Sequence, residues 1–433
     1  MVPSITVKGT EMQSRTFLAA LLLISPVFGQ AIDSSGRRAD GHHHHPSRGT
    51  SADAPAAVEN DSVPPLDAPS YGHHHADALR NDAPSEWDLS AHGSVFIRYL
   101  RHDGPRAYEE WSIPNWVMTD ARYHVNGRTQ VIGRAMFSLD RVTDGGEGYP
   151  LLFQSGETWN RRRLVDRQHP HDLISELSLA VRHETGNGVA LMFSAGYPGA
   201  PALGPEPFMH RPSAAMNPDA PIGHHWQDAT HISFGVVTAA LLFRDWSLEG
   251  SWFNGREPDE DRFRFDRLKL DSYSGRLTVR PMTGSVFQIS SGRLHDPEGH
   301  DETVDRLTAS FQQSNGRNHD APFTLTIIWG RNTAHGSVLD SYLAELSYRL
   351  RDAGLYSRHE WVEKSRAEFG ISSESSVTER VRQHSVGLRH RIGSAGPLRV
   401  DGGVQATLSI AGPFLRERYG AAPLGVQIYL HVQ

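Results

Sequence analysis

Residues 397–410 read PLRVDGGVQATLSI, and their side chains alternate in character: Leu398, Val400, Val404, Ala406, Leu408 and Ile410 oppose Arg399, Asp401, Gln405, Thr407 and Ser409. A period of two belongs to an extended strand whose faces meet different surroundings; a helix would repeat its apolar stripe every three to four residues. The stretch PLGVQIYLHV, 423–432, repeats the pattern, with Leu424, Val426, Ile428, Leu430 and Val432 against Gln427, Tyr429 and His431. TQVIGRAMFSLD, 129–140, follows it with Ile132 and Met136 as exceptions.

Sixteen such segments begin near 90, 115, 129, 173, 188, 229, 245, 271, 284, 303, 322, 338, 354, 378, 397 and 423. SRHEWVEK, 357–364, alternates poorly, so fourteen strands is the alternative count. The connections are unequal. VNGR (125–128), ETGNG (184–188), RDW (244–246), PMTG (281–284), RDAG (351–354) and GSAGP (393–397) have the length and glycine content of hairpin turns, while the intervening connections are mostly long, above all 142–172 and 197–228. Long loops at one end, short turns at the other and one apolar face per strand predict an all-β fold, an antiparallel outer-membrane β-barrel over 87–433. Closure satisfies every backbone hydrogen bond in lipid and leaves no sheet edge. A propeller would repeat a blade motif every 40–50 residues, and the sequence shows no internal repeat. Trp246, Trp252, Tyr273, Phe323, Trp329 and Tyr342, near strand ends, suit an aromatic girdle.

The ends agree with export. Lys8 and Arg15 precede the apolar run Phe17–Ile24 and the small residues of Gly29-Gln30-Ala31, so 1–31 reads as a signal peptide, with Met12 as the alternative start. Residues 32–86, rich in Ala, Asp, Pro and Ser and carrying His42–His45 and His73–His75, read as a disordered periplasmic linker that is either low-complexity sequence or a chelating tail. The amino terminus and short turns are then periplasmic and the long loops external, in the outer membrane of a Gram-negative bacterium. The expected partners are outer-membrane lipid and a small solute or metal ion, with no nucleic acid.

Two long loops concentrate imidazole. DRQHPHD, 166–172, and GHHWQDATH, 223–231, place His169, His171, His224, His225 and His231 near Asp166, Asp172 and Asp228. Neutral imidazole is a common ligand of zinc and copper, and a neighbouring carboxylate orients the second ring nitrogen. The candidate metal set is His169, His171, Asp172, His224, His225, Asp228 and His231, drawn together because one strand separates the strands that follow the two motifs. The alternative is a hydrogen-bonded loop core in which the imidazoles point apart.

LVDRQHPHDL, PFMHRP, PIGHHWQDATHISFGVV, FNGREPDE and LDSYSGRL resemble the motifs of a bacterial family of outer-membrane β-barrels, usually described as hypothetical proteins; the likeness is strong over 110–300 and weaker beyond. It implies an exported barrel and no particular reaction.

Three function classes follow. Charges such as Arg134, Glu176, Glu249, Arg276, Glu345, Arg389 and Asp401 fall on the inward face, which suits a porin-like channel or transporter. The proline-rich 197–228 either folds inward and narrows the mouth or packs over the rim. A metal-binding barrel is the second class. The third is an outer-membrane hydrolase using an Asp/His pair to activate water, as outer-membrane proteases do, which no sequence feature singles out. FQQSNGR, 311–317, is similar to an outer-membrane phospholipase signature but has Gln312 where the base belongs, so Ser314 lacks activation and that reading is set aside. A closed structural barrel is the remaining alternative.

Overall fold

The computed structural model describes residues 87–433 apart from 229–231, 300–301, 317–320, 335 and 372–376, so the expected signal peptide, the linker and His231 lie outside the described residues. Strands β1 (Trp87–His102), β2 (Tyr108–Ser112), β3 (Asn115–Asn126) and β4 (Thr129–Phe137) precede a separate hairpin of β5 (Tyr149–Trp159) and β6 (Arg162–Gln168). The sheet resumes with β7 (Ile174–Glu184), β8 (Ala190–Gly196), β9 (Val236–Leu242), β10 (Trp246–Phe253), β11 (Ser272–Met282) and β12 (Ser285–His295). It ends with β13 (Thr303–Ser314), β14 (Phe323–Ala334), β15 (Ser337–Leu350), β16 (Ala353–Ser365), β17 (Thr378–Ala395), β18 (Leu398–Ala411) and β19 (Leu424–Val432).

Every pairing is antiparallel between neighbours, and β1 closes the ring by pairing with β19 on one edge and with β2 and β3 on the other. Because β2 takes Arg98–His102 of β1 and β3 takes Trp87–Val95, these two form one barrel strand, interrupted at Ile113–Pro114 where proline has no N–H to give. The barrel therefore has sixteen strands. Among the described residues no helix is long and apolar enough to cross a membrane.

The alternation places apolar side chains outside. Val404 and Ile428 are 50 % and 57 % exposed, while Gln405 and Tyr429, one residue on, are 2 % and 4 % exposed. Ile132 and Met136, the exceptions on β4, point inward and are buried. An arginine on the lipid face near mid-strand costs about 2–4 kcal/mol. Val404→Arg should lower the unfolding free energy in lipid vesicles by that amount, as read by denaturant titration; an unchanged midpoint would mean that this face is not in lipid.

Strand β9 starts at Val236, later than the alternation from 229 predicts. The apolar residues Ile232 and Phe234 continue the pattern, but Gly235 has φ 111° and takes the chain out of the ladder, leaving a single bridge between Ser233 and Gly199.

Two segments from the long-loop end turn inward. The proline-rich 197–228 threads the barrel interior, tied to successive strands: Ala202 N donates to Ser251 Oγ (2.8 Å), Gly204 N to Ser290 Oγ (2.7 Å), Arg211 Nε to Glu345 (2.7 Å), Arg98 Nη1 to Asp219 (2.5 Å) and Gln227 Nε2 to Ser341 Oγ (2.7 Å). The β5–β6 hairpin covers it. Leu151, Leu152 and Phe153 pack with Ile222 and Trp226 of that segment, with Val362, Val381 and Ala411 of the wall, and with Phe369, Leu415 and Tyr419 of two further loops. Each such fully buried leucine or phenylalanine contributes about 1.5–3 kcal/mol. The wall's own charges pair across strands, as in Arg276–Glu249 (2.8 Å) and Arg134–Asp120 (2.9 Å).

Candidate metal centre

The inward folding brings the two histidine motifs together. His169 follows the last residue of β6, and Pro170 restricts it to extended backbone. His224 and His225 open a one-turn helix, His224–Gln227, whose four residues are all buried. Adjacent residues on a helix point in different directions, and the two rings stand perpendicular, 87° apart with centroids at 4.1 Å. The ring of His169 approaches both, at 5.8 Å from His224 and 5.6 Å from His225. One nitrogen from each of the three lies within 4.8 Å of the others.

The surroundings orient the rings. His169 Nδ1 lies 2.5 Å from Glu157 Oε1, which makes Nδ1 the protonated nitrogen and leaves the lone pair on Nε2. Glu157 is in turn held by the guanidinium of Arg262, which also reaches Asp172 at 3.2 Å. The Nε2 of His224 is 2.7 Å from Gln154 Nε2 and 3.2 Å from Gln168 Oε1. His225 is different. It is 6 % exposed, and neither Nδ1 nor Nε2 has a hydrogen-bond partner among the described residues. An imidazole buried with both nitrogens unsatisfied is costly unless something else binds there.

Burial, reinforced by the adjacent His171, pushes the His169 imidazole down to about 3, so it is neutral at physiological pH. The unfolded chain has the ordinary value near 6.5 and takes up this proton first on acidification. Stability of the metal-free fold therefore falls as pH drops from about 6.5 towards 3, and it is flat with respect to this group above that window. Replacing His169 by glutamine should reduce the slope of stability against pH between 4 and 6 by up to about 1.4 kcal/mol per pH unit in denaturant titrations. Parallel curves for the two proteins would mean that His169 is not held neutral.

The remaining candidates among the described residues are engaged elsewhere. His171 Nδ1 lies 2.6 Å from Asp140, whose other oxygen accepts Asn115 N at 2.7 Å, so this Asp–His pair fastens the motif to the start of β3. Asp172 is with Arg262, and Asp228 lies 3.5 Å from Arg211. Asp166 accepts Phe153 N at 2.8 Å and Tyr419 Oη at 3.1 Å, which ties β6 to β5 and to the loop before β19. Sequence reasoning did not find Glu157, Arg262, Glu257 or Glu298. Of these, only Glu257 lies in a motif singled out beforehand, FNGREPDE.

No protein-family model and no curated protein matches the chain. Solved structures do. OmpF of Salmonella typhi, in complex with daunomycin, aligns with TM-score 0.50 and 8 % identity over 79 % of this chain and 97 % of its own. OmpT, an outer-membrane protein of Vibrio cholerae, aligns with TM-score 0.44 and 11 % identity over 83 % of this chain and 100 % of its own. The outer-membrane channel DcaP of Acinetobacter baumannii gives 0.43 and 9 % over 80 % and 97 %. At these identities the likeness is one of fold.

Proposed function

We propose that the protein is a bacterial outer-membrane barrel of porin-like architecture that binds a divalent transition metal inside its long-loop end, through His169, His224 and His225. The observation that carries this reading is the convergence of three buried imidazoles, one of them with both nitrogens unsatisfied. Zinc takes imidazole nitrogen at about 2.0–2.1 Å, and three protein ligands leave a fourth position for water or another ligand, unlike a closed structural site. Copper is equally suited to the donors.

The inward segment 197–228 bears on transport. A barrel of this strand number is wide enough for an aqueous channel, but here the internal segment hydrogen-bonds to strands around the wall. We therefore read the solute path as narrowed and the metal as a cargo or effector small enough for it, in place of bulk diffusion of larger solutes. The short turns then lie on the periplasmic side and the long-loop end faces outward.

The test is zinc titration of the full-length protein with the seven histidines at 42–45 and 73–75 replaced by asparagine. One bound equivalent and a change in single-channel conductance on adding zinc support the proposal; no saturable binding overturns it. Glu157 gives a finer check. Carboxylates that orient a ligating histidine are worth about 10–100-fold in metal affinity. Glu157→Gln should weaken zinc binding by at least tenfold in calorimetry, and equal affinity would remove Glu157 from the site.

A further inference from the structure

The ring of His225 faces a second set of donors. Its Nδ1 is 3.9 Å from Glu257 Oε2 and 3.9 Å from Glu298 Oε1. These distances are too long for hydrogen bonds; they exceed the roughly 3.3–3.6 Å between two ligands of one tetrahedral ion, so the carboxylates close in by a few tenths of an ångström when an ion binds between them and the ring. Glu257 Oε2 is buried with no hydrogen-bond partner among the described residues. The three side chains line a cavity of about 280 Å³ between the barrel wall and the long-end loops, which also receives Glu302 and Glu368. Four carboxylates there face the guanidiniums of Arg163 and Arg306, and Arg306 spends one of its N–H groups on the Asp228 carbonyl at 2.8 Å. Side-chain exposure falls from 20 % at Glu298 to 9 % at Glu257 and 6 % at His225.

We propose that this cavity is an antechamber for a divalent cation, with His225, Glu257 and Glu298 as a second binding position from which the ion passes to His169 and His224. The proposal rests on the reading of the three histidines as a metal site. Its logic lies in the shared ring. A neutral imidazole has one lone pair, so His225 serves one ion at a time and the two positions are alternatives rather than neighbours. The outer position offers one nitrogen and two carboxylates, a harder set that exchanges readily; the inner offers three nitrogens, which hold zinc or copper better. An ion attracted by the carboxylates would be captured near Glu298, held against His225, and transferred inward as the ring changes partner. The ion keeps its charge throughout: metal–ligand contacts exchange, and where the handover passes from one ring nitrogen to the other the imidazole proton moves to the nitrogen released.

The experiment uses the full-length protein with the linker histidines replaced as above. Manganese, which prefers oxygen, is followed by loss of the free-ion electron paramagnetic resonance signal, and zinc association by stopped flow. His169→Ala/His224→Ala should keep manganese binding within threefold while weakening zinc at least a hundredfold. Glu257→Gln/Glu298→Gln, close in shape to the original residues, should abolish manganese binding and slow zinc association at least tenfold, with the loss falling on association rather than dissociation. Glu298→Gln alone, at the most exposed of the three positions, should show the same effects in weaker form and guards against misfolding of the double variant. Manganese binding and zinc association unchanged in the glutamine variants, or no manganese binding in the parent, overturns the antechamber. Zinc binding indifferent to His169→Ala/His224→Ala, with manganese still bound, instead overturns the three-histidine site and leaves the outer one standing alone.

Discussion

Replacing Glu345 by alanine should destabilise the protein by about 3–5 kcal/mol and release the internal segment from the wall. Glu345, on β15, is 1 % exposed and accepts four hydrogen bonds: Arg211 Nε (2.7 Å) and Nη2 (3.0 Å), Arg358 Nε (2.9 Å) and Ser213 Oγ (2.8 Å). Arg211 and Ser213 belong to the inward segment and Arg358 to β16, so one carboxylate joins that segment to two strands. Its removal leaves two buried guanidiniums facing each other. Breaking a buried pair costs far more than the pair is worth, because the uncompensated charge remains in a low-dielectric site. Asp228, 3.5 Å from Arg211, compensates only in part. The cheapest relief is for residues near 205–215 to leave the lumen, so a rise in single-channel conductance should accompany the loss of stability. Glu345→Gln, which keeps an acceptor oxygen and loses the charge, should fall between. Wild-type conductance and stability in Glu345→Ala would mean that the segment is held by its other contacts alone.

The barrel was legible because its rule is local. Each strand must show lipid one kind of residue and the interior another, and Val404, Ala406 and Leu408 against Gln405, Thr407 and Ser409 state that rule in six positions. Strand β16 obeys the geometry but not the chemistry. Arg358, Glu360 and Lys364 point inward while Ser357, His359 and Glu363 point outward, and His359 and Glu363 meet His384 and Arg380 of β17 across the outer face. That is why SRHEWVEK alternates poorly although it forms a full strand.

The β5–β6 hairpin was illegible for the opposite reason. Residues 149–157 are buried on both faces, so LLFQSGE carries no alternation to read. Strand order alone suggested that the histidine motifs lie near one another, since β8 alone separates β7 from β9, but the inward folding is what brings them together. The way they meet did not. His169 reaches the site from the inner hairpin and His224 and His225 from the inward segment, not from the loop bases at the rim. The carboxylates around them come from loops whose mutual packing leaves no periodic trace in the chain.

Zinc should raise the stability of the wild-type fold and leave His169→Ala/His224→Ala/His225→Ala untouched. A ligand that binds only the folded state stabilises it by about 2.7 kcal/mol at a hundred times its dissociation constant and about 4.1 at a thousand times. The three imidazoles join the hairpin to the inward segment, His169 from one and His224 and His225 from the other, so a bound metal would act as a clip between two elements otherwise held by packing and hydrogen bonds. Adding a chelator should reverse the gain. The inner segments should report the effect more strongly than the wall, because the wall strands are also held by the closed hydrogen-bond ladder. Hydrogen exchange gives the decisive measurement. Zinc should slow exchange at 150–168 and 205–228 by at least tenfold in the wild type, with less change in the wall strands. Equal protection in the triple variant would mean that the ion binds elsewhere on the chain.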